Sequence, residues 1–231
     1  MNKMEIKPIA TIKTDFTSKF GIPRQSGRIE QLTGTIIFEK DFADKNFIKG
    51  IEQYSHLWLI WGFSENAGKK KHATVRPPRL GGNERTGVFA TRSPFRPNNL
   101  GLSCVRLISA NTSGTVPTLT VGGADMLSGT PIYDIKPYIP YTDSIANAEY
   151  GFAERERAHK LNVLISNELS EKVPAEKREA LLGILADDPR PAYQNDESRI
   201  YGMKFAGLEI KFSVCGGDLQ VKSIDKAELK V

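Results

Sequence analysis

The stretch Gly87–Ser103, GVFATRSPFRPNNLGLS, runs a strand into a loop holding two prolines, two arginines and two asparagines, then returns through Gly101 into the next strand. A strand that turns back through a loop pairs antiparallel and needs no crossover helix. The same texture extends outward on both sides. Ile6–Ile12, Leu32–Phe38, Tyr54–Phe63, Gly87–Thr91, Ser103–Ile108, Thr118–Val121 and Ile132–Tyr138 are apolar or alternating runs rich in β-branched and aromatic residues, bounded by Gly, Pro and Asn clusters. Only Phe42–Ile51 reads as a short helical connection. Many strands without intervening helices argue for a closed or nearly closed antiparallel barrel.

The pattern changes after Asp143. Glu149–Glu171 is rich in Ala, Glu, Arg and Leu and predicts a helix with Phe152, Ala158, Leu161, Leu164, Ile165 and Leu169 on one face. A second helix is expected from Pro174 to about Ala186, then an alternating strand over Arg199–Val214 and another over Asp218–Ile224, joined by a Gly216-Gly217 hairpin turn. The expected fold is therefore mainly β: a barrel domain over residues 4–143 and a smaller α+β C-terminal domain over residues 149–231.

An apolar content of 39% in 231 residues supports an ordinary buried core. No window reaches a membrane span, and Met1–Thr14 lacks the apolar centre of a secretory signal, so a cytoplasmic location without a membrane partner is expected. Cys104 and Cys215 form no CxxC pair and read as core thiols. No cluster of His, Cys and carboxylates suggests a metal. The net charge of +5 is unevenly spread: Lys69–Arg106 holds nine basic residues against Glu84 alone. Such a block is either a solvated face or a footprint for a polyanion such as RNA.

Three stretches carry chemistry. In GVFATRSPFRPNNLGLS, Pro94 and Pro97 restrict the backbone and hold Arg92 and Arg96 in place. In GTPIYDIKPYIPYTD, Gly129–Asp143, Asp134 and Lys136 share one face of a strand, while Ile132, Ile135 and Ile139 cannot all fill the other. The early loop PRQSG, Pro23–Gly27, adds an arginine and an amide. His56, Trp58 and Trp61, inside an apolar run, read as core or interface residues.

Together with HLWLIWGF at His56–Phe63 and RPPRLGG at Arg76–Gly82, these stretches resemble the TsaA-like, or TrmO, family of S-adenosylmethionine-dependent transfer-RNA adenine methyltransferases. The likeness spans nearly the whole first domain, and DPRPAY at Asp188–Tyr193 resembles the longer bacterial members. It implies a single-sheeted β-barrel, S-adenosylmethionine as cofactor, and methylation of a threonylcarbamoyl-adenosine beside the tRNA anticodon by a homodimer. The implied cofactor contacts are Pro23, Arg24, Gln25, Ser64, Glu65, Arg92, Leu102, Asp125, Met126, Leu127 and Ser128. Asn99 and Ser128 depart from the pattern, standing where a proline and an acidic or amide residue are common.

Methyl transfer from a sulfonium is an in-line displacement, accelerated by alignment and requiring no metal. The acceptor amine, delocalised into both purine and carbamoyl group, benefits from a base. Asp134 or the phenol of Tyr138 suits that task, and Lys136 suits a carbamoyl oxygen or the threonyl carboxylate; the residues alone leave these open. Arg96 is expected to face RNA, and in the DPRPAY segment Arg190 and Tyr193 are expected to take a phosphate and an unstacked anticodon-loop base. The competing class is a barrel that binds RNA or senses S-adenosylmethionine without catalysis.

Overall fold

The computed structural model describes residues 4–66, 68–77, 84–156, 160–190 and 196–228. Six of the described strands close a single antiparallel barrel: β1 (Ala10–Thr14), β2 (Thr33–Phe38), β7 (Thr118–Gly122), β6 (Leu100–Asn111), β3 (His56–Gly62) and β8 (Thr130–Pro137), which returns to β1. Closure leaves no unpaired edge in the ring. A short ribbon of β4 (Thr74–Val75) and β5 (Thr86–Gly87) lies outside it. Gly87–Thr91, expected as a strand, is paired only at its first residue; Val88–Ala90 turns into a 3₁₀ helix that starts the arginine loop.

Strand alternation sorts the barrel wall. Leu57, Leu59 and Trp61 point into the core with Ile12, Ile36 and Leu119, while His56, Trp58 and Ile60 point outward. His56 and Trp58 are thus half-buried residues of the outer wall and not core, because the period of two leaves them no other face. Trp61 comes so close to β6 that a Cβ on Gly101 would lie 2.4 Å from its ring, which explains the glycine. The register of β8 against β3 slips by one residue at Tyr133, between the pairs Ile60↔Asp134 and Trp61↔Ile132. That bulge lets Ile132 and Ile135 both face inward although they are three apart, and it turns Asp134 and Lys136 out together.

After α1 (Pro140–Asp143), the C-terminal unit is a sheet in the order β10 (Tyr201–Phe205), β11 (Leu208–Cys215), β12 (Asp218–Lys226), β9 (Asn162–Leu164), with α2 (Asn167–Glu171) and α3 (Ala175–Ala186). The helix expected over Glu149–Glu171 is replaced by a 3₁₀ turn at Gly151–Glu156, by β9 and by α2. Gly151 takes a positive φ of 56°, Asn162–Leu164 pairs parallel with β12, and Ser166 Oγ accepts the Leu169 N–H at 3.3 Å to start α2. Asn, Val and Ser favour strand and cap over helix interior, which the apolar spacing concealed. Arg199–Val214 is a hairpin, not one strand, turned by Ala206 and Gly207 at φ 51° and 75°. Both cysteines lie outside the core: Cys104 is half-buried on the barrel wall and Cys215 is exposed at the end of β11, where pairing with Asp218 turns it outward. No described helix is long and apolar enough to cross a membrane.

The core of this unit is not its own alone. Phe16, Ile29 and Leu32, all from the β1–β2 connection, are buried with Ile184, Leu185, Phe205 and Phe212. Phe16 and Phe205 meet ring to ring at 5.5 Å.

Candidate cofactor and substrate site

The PRQSG loop leaves the β1–β2 connection and lies along β6 where that strand has run past its partner β7. There the Cys104 N–H donates to Ser26 Oγ at 3.1 Å, a side chain taking the place of a neighbouring strand. The Gly27 N–H donates to the Gly123 carbonyl at 3.0 Å; at Gly123, with φ at 77°, a Cβ would sit 3.0 Å from the Gly27 backbone. Gln25 Oε1 accepts from the Arg92 guanidinium, which joins this loop to the arginine loop.

Behind the loop runs a polar chain from the barrel interior. Trp61 Nε1–H donates to Ser103 Oγ at 2.9 Å, and Ser103 Oγ–H donates to Asp125 Oδ1 at 2.7 Å. Burial pushes the Asp125 carboxyl up to about 6, against the opposing pull of the Ser103 hydroxyl, the Ser26 backbone N–H and the Arg92 charge. Neither Ser26 nor Ser103 was singled out from the residues alone, though both stand inside the quoted motifs. The constellation offers a cation, an amide oxygen and a carboxylate within one cluster, a donor set that fits the carboxylate and ammonium of a methionyl group.

Other residues implied as cofactor contacts sit differently. Met126 is buried in the barrel core, its carbonyl accepting from Thr14 Oγ1 at 2.9 Å; Leu127 packs against the C-terminal core. Ser128 is tied to the end of β1, its N–H donating to the Phe16 carbonyl at 2.9 Å. Pro23 is buried and Arg24 exposed. Ser64 and Glu65 form a 3₁₀ turn with Asn66, and Glu65 lies 3.8 Å from Lys19. Asn99, with φ at 49°, donates from its side chain to the Asn66 carbonyl at 3.0 Å and accepts the Phe63 N–H at 2.9 Å. A proline locked near −65° could not take that φ; the asparagine closes the loop with hydrogen bonds instead. Arg96 also braces the loop, donating to the Thr91 carbonyl at 3.1 Å.

The presumed reaction residues share the outer wall of the barrel. Across β6, β3 and β8 run two rows, Leu102–Ile60–Asp134 and Cys104–Trp58–Lys136. Lys136 Nζ lies 3.0 Å from Asp134 Oδ2 with both side chains open to solvent. Tyr138 packs on Trp58 at 5.7 Å and His56 at 6.2 Å, while Asp143 Oδ2 accepts from Trp58 Nε1 at 3.0 Å and from the Ile139 N–H at 2.8 Å. Burial, and secondarily Asp143, raise the Cys104 thiol above its ordinary value. Leu102, half exposed, begins the first of these rows on β6, one residue before Ser103. Arg190 pairs with Asp188 through Nε at 2.9 Å and Nη2 at 3.0 Å, and its carbonyl accepts from Arg24 Nη2 at 3.2 Å. Tyr193 lies outside the described residues. Among the described residues no group of His, Cys and carboxylates could hold a metal.

Residues 11–144 match the family described as the tRNA-methyltransferase O N-terminal domain, and residues 158–227 match the TrmO C-terminal domain. The tRNA (adenine(37)-N6)-methyltransferase of Escherichia coli is 33% identical, over 97% of this chain and 99% of its own. That of Eikenella corrodens is 43% identical over 76% of this chain and 99% of its own. A crystal structure of TrmO from Pseudomonas aeruginosa, 30% identical, superposes with a TM-score of 0.77 over 97% of this chain and all of that one. Sequence and fold agree along both halves, and the chain belongs to the TrmO family of tRNA methyltransferases.

Proposed function

We propose that this protein transfers a methyl group from S-adenosylmethionine to the exocyclic amine of adenine 37 in tRNA, where that adenine carries a threonylcarbamoyl group. The observation that carries this reading is the joining of PRQSG, Arg92 and Asp125 into one cluster, with Leu102 leading from it to the Asp134–Lys136 pair. Bound S-adenosylmethionine supplies an activated methyl group. Arg92, with Gln25, holds its carboxylate, and Asp125 balances its positive charge.

On the outer wall Asp134 takes the proton of the acceptor amine, which supplies the electron pair for the new N–C bond, while the methyl's bond to sulfur would break with its electrons staying on the departing thioether. Lys136 neutralises the threonyl carboxylate, and Trp58 with Tyr138 forms an aromatic wall for the base. Arg96, Arg190 and Tyr193 serve the tRNA anticodon loop, with the basic block from Lys69 supplying the long-range attraction. A phosphate arriving at Arg190 has to share the guanidinium with Asp188. The reading includes a homodimer: Tyr141 and Ile145, beside the Trp58–Asp143 contact and 91% and 74% exposed, are apolar surface suited to cover by a second copy.

Calorimetry with the full chain tests the division of arginines. Arg92→Ala should weaken S-adenosylmethionine by about tenfold or more, the loss expected for one charge-assisted pair, while Arg96→Ala stays near wild type. Equal effects would refute the assignment.

A further inference from the structure

The β1–β2 connection is gripped from two sides. On the barrel side Gly27 bonds to Gly123 and Ser26 to β6. On the other side Ile29, Arg24 and Arg28 each meet the C-terminal unit. Ile29 is buried against α3 so closely that a Cβ on Gly183 would meet it at 2.7 Å. Arg24 donates to the Arg190 carbonyl, which the unusual positive φ of Asp188, 52°, turns toward it. Arg28, the residue directly after the loop, meets Asp187 in a forked ion pair, its Nε 2.8 Å from Oδ1 and 3.1 Å from Oδ2 and its Nη2 on Oδ1 as well.

Asp187 caps the C-terminus of α3, the end where the helix dipole disfavours a carboxylate. Its backbone N–H closes the helix on the Gly183 carbonyl at 3.0 Å, whereas its carboxylate serves Arg28. Both side chains are largely shielded, so the pair resists salt and fixes direction as well as distance. Gly27, with φ at 74° and its N–H held by the Gly123 carbonyl, is where the chain turns one residue upstream, and pinning Arg28 fixes the direction in which it leaves that turn.

We propose that Asp187 is a positioning residue for the cofactor: by holding Arg28 it sets how Pro23–Gly27 lies along β6, so the C-terminal domain builds part of the S-adenosylmethionine site besides serving the RNA. The proposal rests on the assignment of Gln25 and Arg92 to the cofactor. S-adenosylmethionine binding to the full-length protein, followed by calorimetry well below the melting temperature, tests it. Asp187→Asn and Arg28→Gln should each raise the Kd by about threefold to tenfold, and the double variant by no more than the worse single one, because both remove the same contact. At saturating cofactor kcat should stay near wild type. Arg28→Lys keeps the charge and loses the fork; it provides a milder variant should the others fold poorly, with a smaller rise expected. Lys177→Met breaks the separate interdomain pair to Asp15, 2.6 Å long, and should lower the melting temperature without moving the Kd. If Arg92→Ala weakens the cofactor while Asp187→Asn and Arg28→Lys leave it unchanged, the proposal is overturned. If Arg92→Ala itself has no effect, the cofactor assignment fails first and the proposal with it.

Discussion

The two cores of this molecule are built on different plans. The barrel closes on itself: Ile12, Ile36, Leu59, Leu119 and Ile132 meet inside a ring of strands that has no edge to cover. The C-terminal sheet is open, and its apolar face is completed by Phe16, Ile29 and Leu32 from the opposite half of the chain. A connection that would be a surface loop on an isolated barrel is thereby a core element of its neighbour. The PRQSG loop, the piece assigned to the cofactor, is stiff for this reason: its flanking residues are buried on one side and hydrogen-bonded to the barrel on the other.

Removing Phe16 is the hardest test of that sharing. Truncating a fully buried Phe costs about 3–5 kcal/mol, so Phe16→Ala should lower stability by that order. The two tryptophans, both on β3, report the barrel, and the helical circular dichroism is carried mainly by α3 in the other unit. Both signals should shift together in one transition. Loss of the helical signal at lower denaturant with tryptophan emission unmoved would show that the two cores unfold independently.

A smaller effect is expected on the barrel side of the loop. Asp125, raised to about 6, binds its proton more tightly folded than unfolded, so its ionisation takes stability away as pH rises from about 4 through 6. Asp125→Asn should therefore compare more favourably with wild type in thermal melts at pH 7 than at pH 4. The ionised carboxylate also favours a cationic ligand, so S-adenosylmethionine affinity should climb between pH 5 and 7.5 in the wild type and stay flat in Asp125→Asn. Parallel pH profiles in the two proteins would remove Asp125 from the site.

Much of this was legible in the residues. Period-two runs such as His56–Phe63 and Thr118–Val121 marked the barrel, and the proline-arginine loop marked the candidate site. The bulge at Tyr133 was visible only as an isoleucine spacing that refused to alternate, since a register slip is decided by the partner strand. Glu149–Glu171 misled because Leu161, Leu164 and Ile165 suit a helix face as well as an edge strand, and only pairing with β12 decides. The hairpin at Ala206-Gly207 lacked the usual Asn-Gly signal. Trp61–Ser103–Asp125 and Arg28–Asp187 join residues remote in sequence, and no local pattern announces such pairs.

Methyl transfer to the modified adenine can be followed by nucleoside mass spectrometry. The purified protein, S-adenosylmethionine and tRNA bearing threonylcarbamoyl-adenosine at position 37 are incubated, and the digested nucleosides are weighed. This nucleoside should gain one methyl group on its base, without added metal, and the gain should fall sharply in Asp134→Asn and Arg92→Ala. Stoichiometric cofactor binding with no methylated nucleoside in the wild type would contradict the proposed reaction.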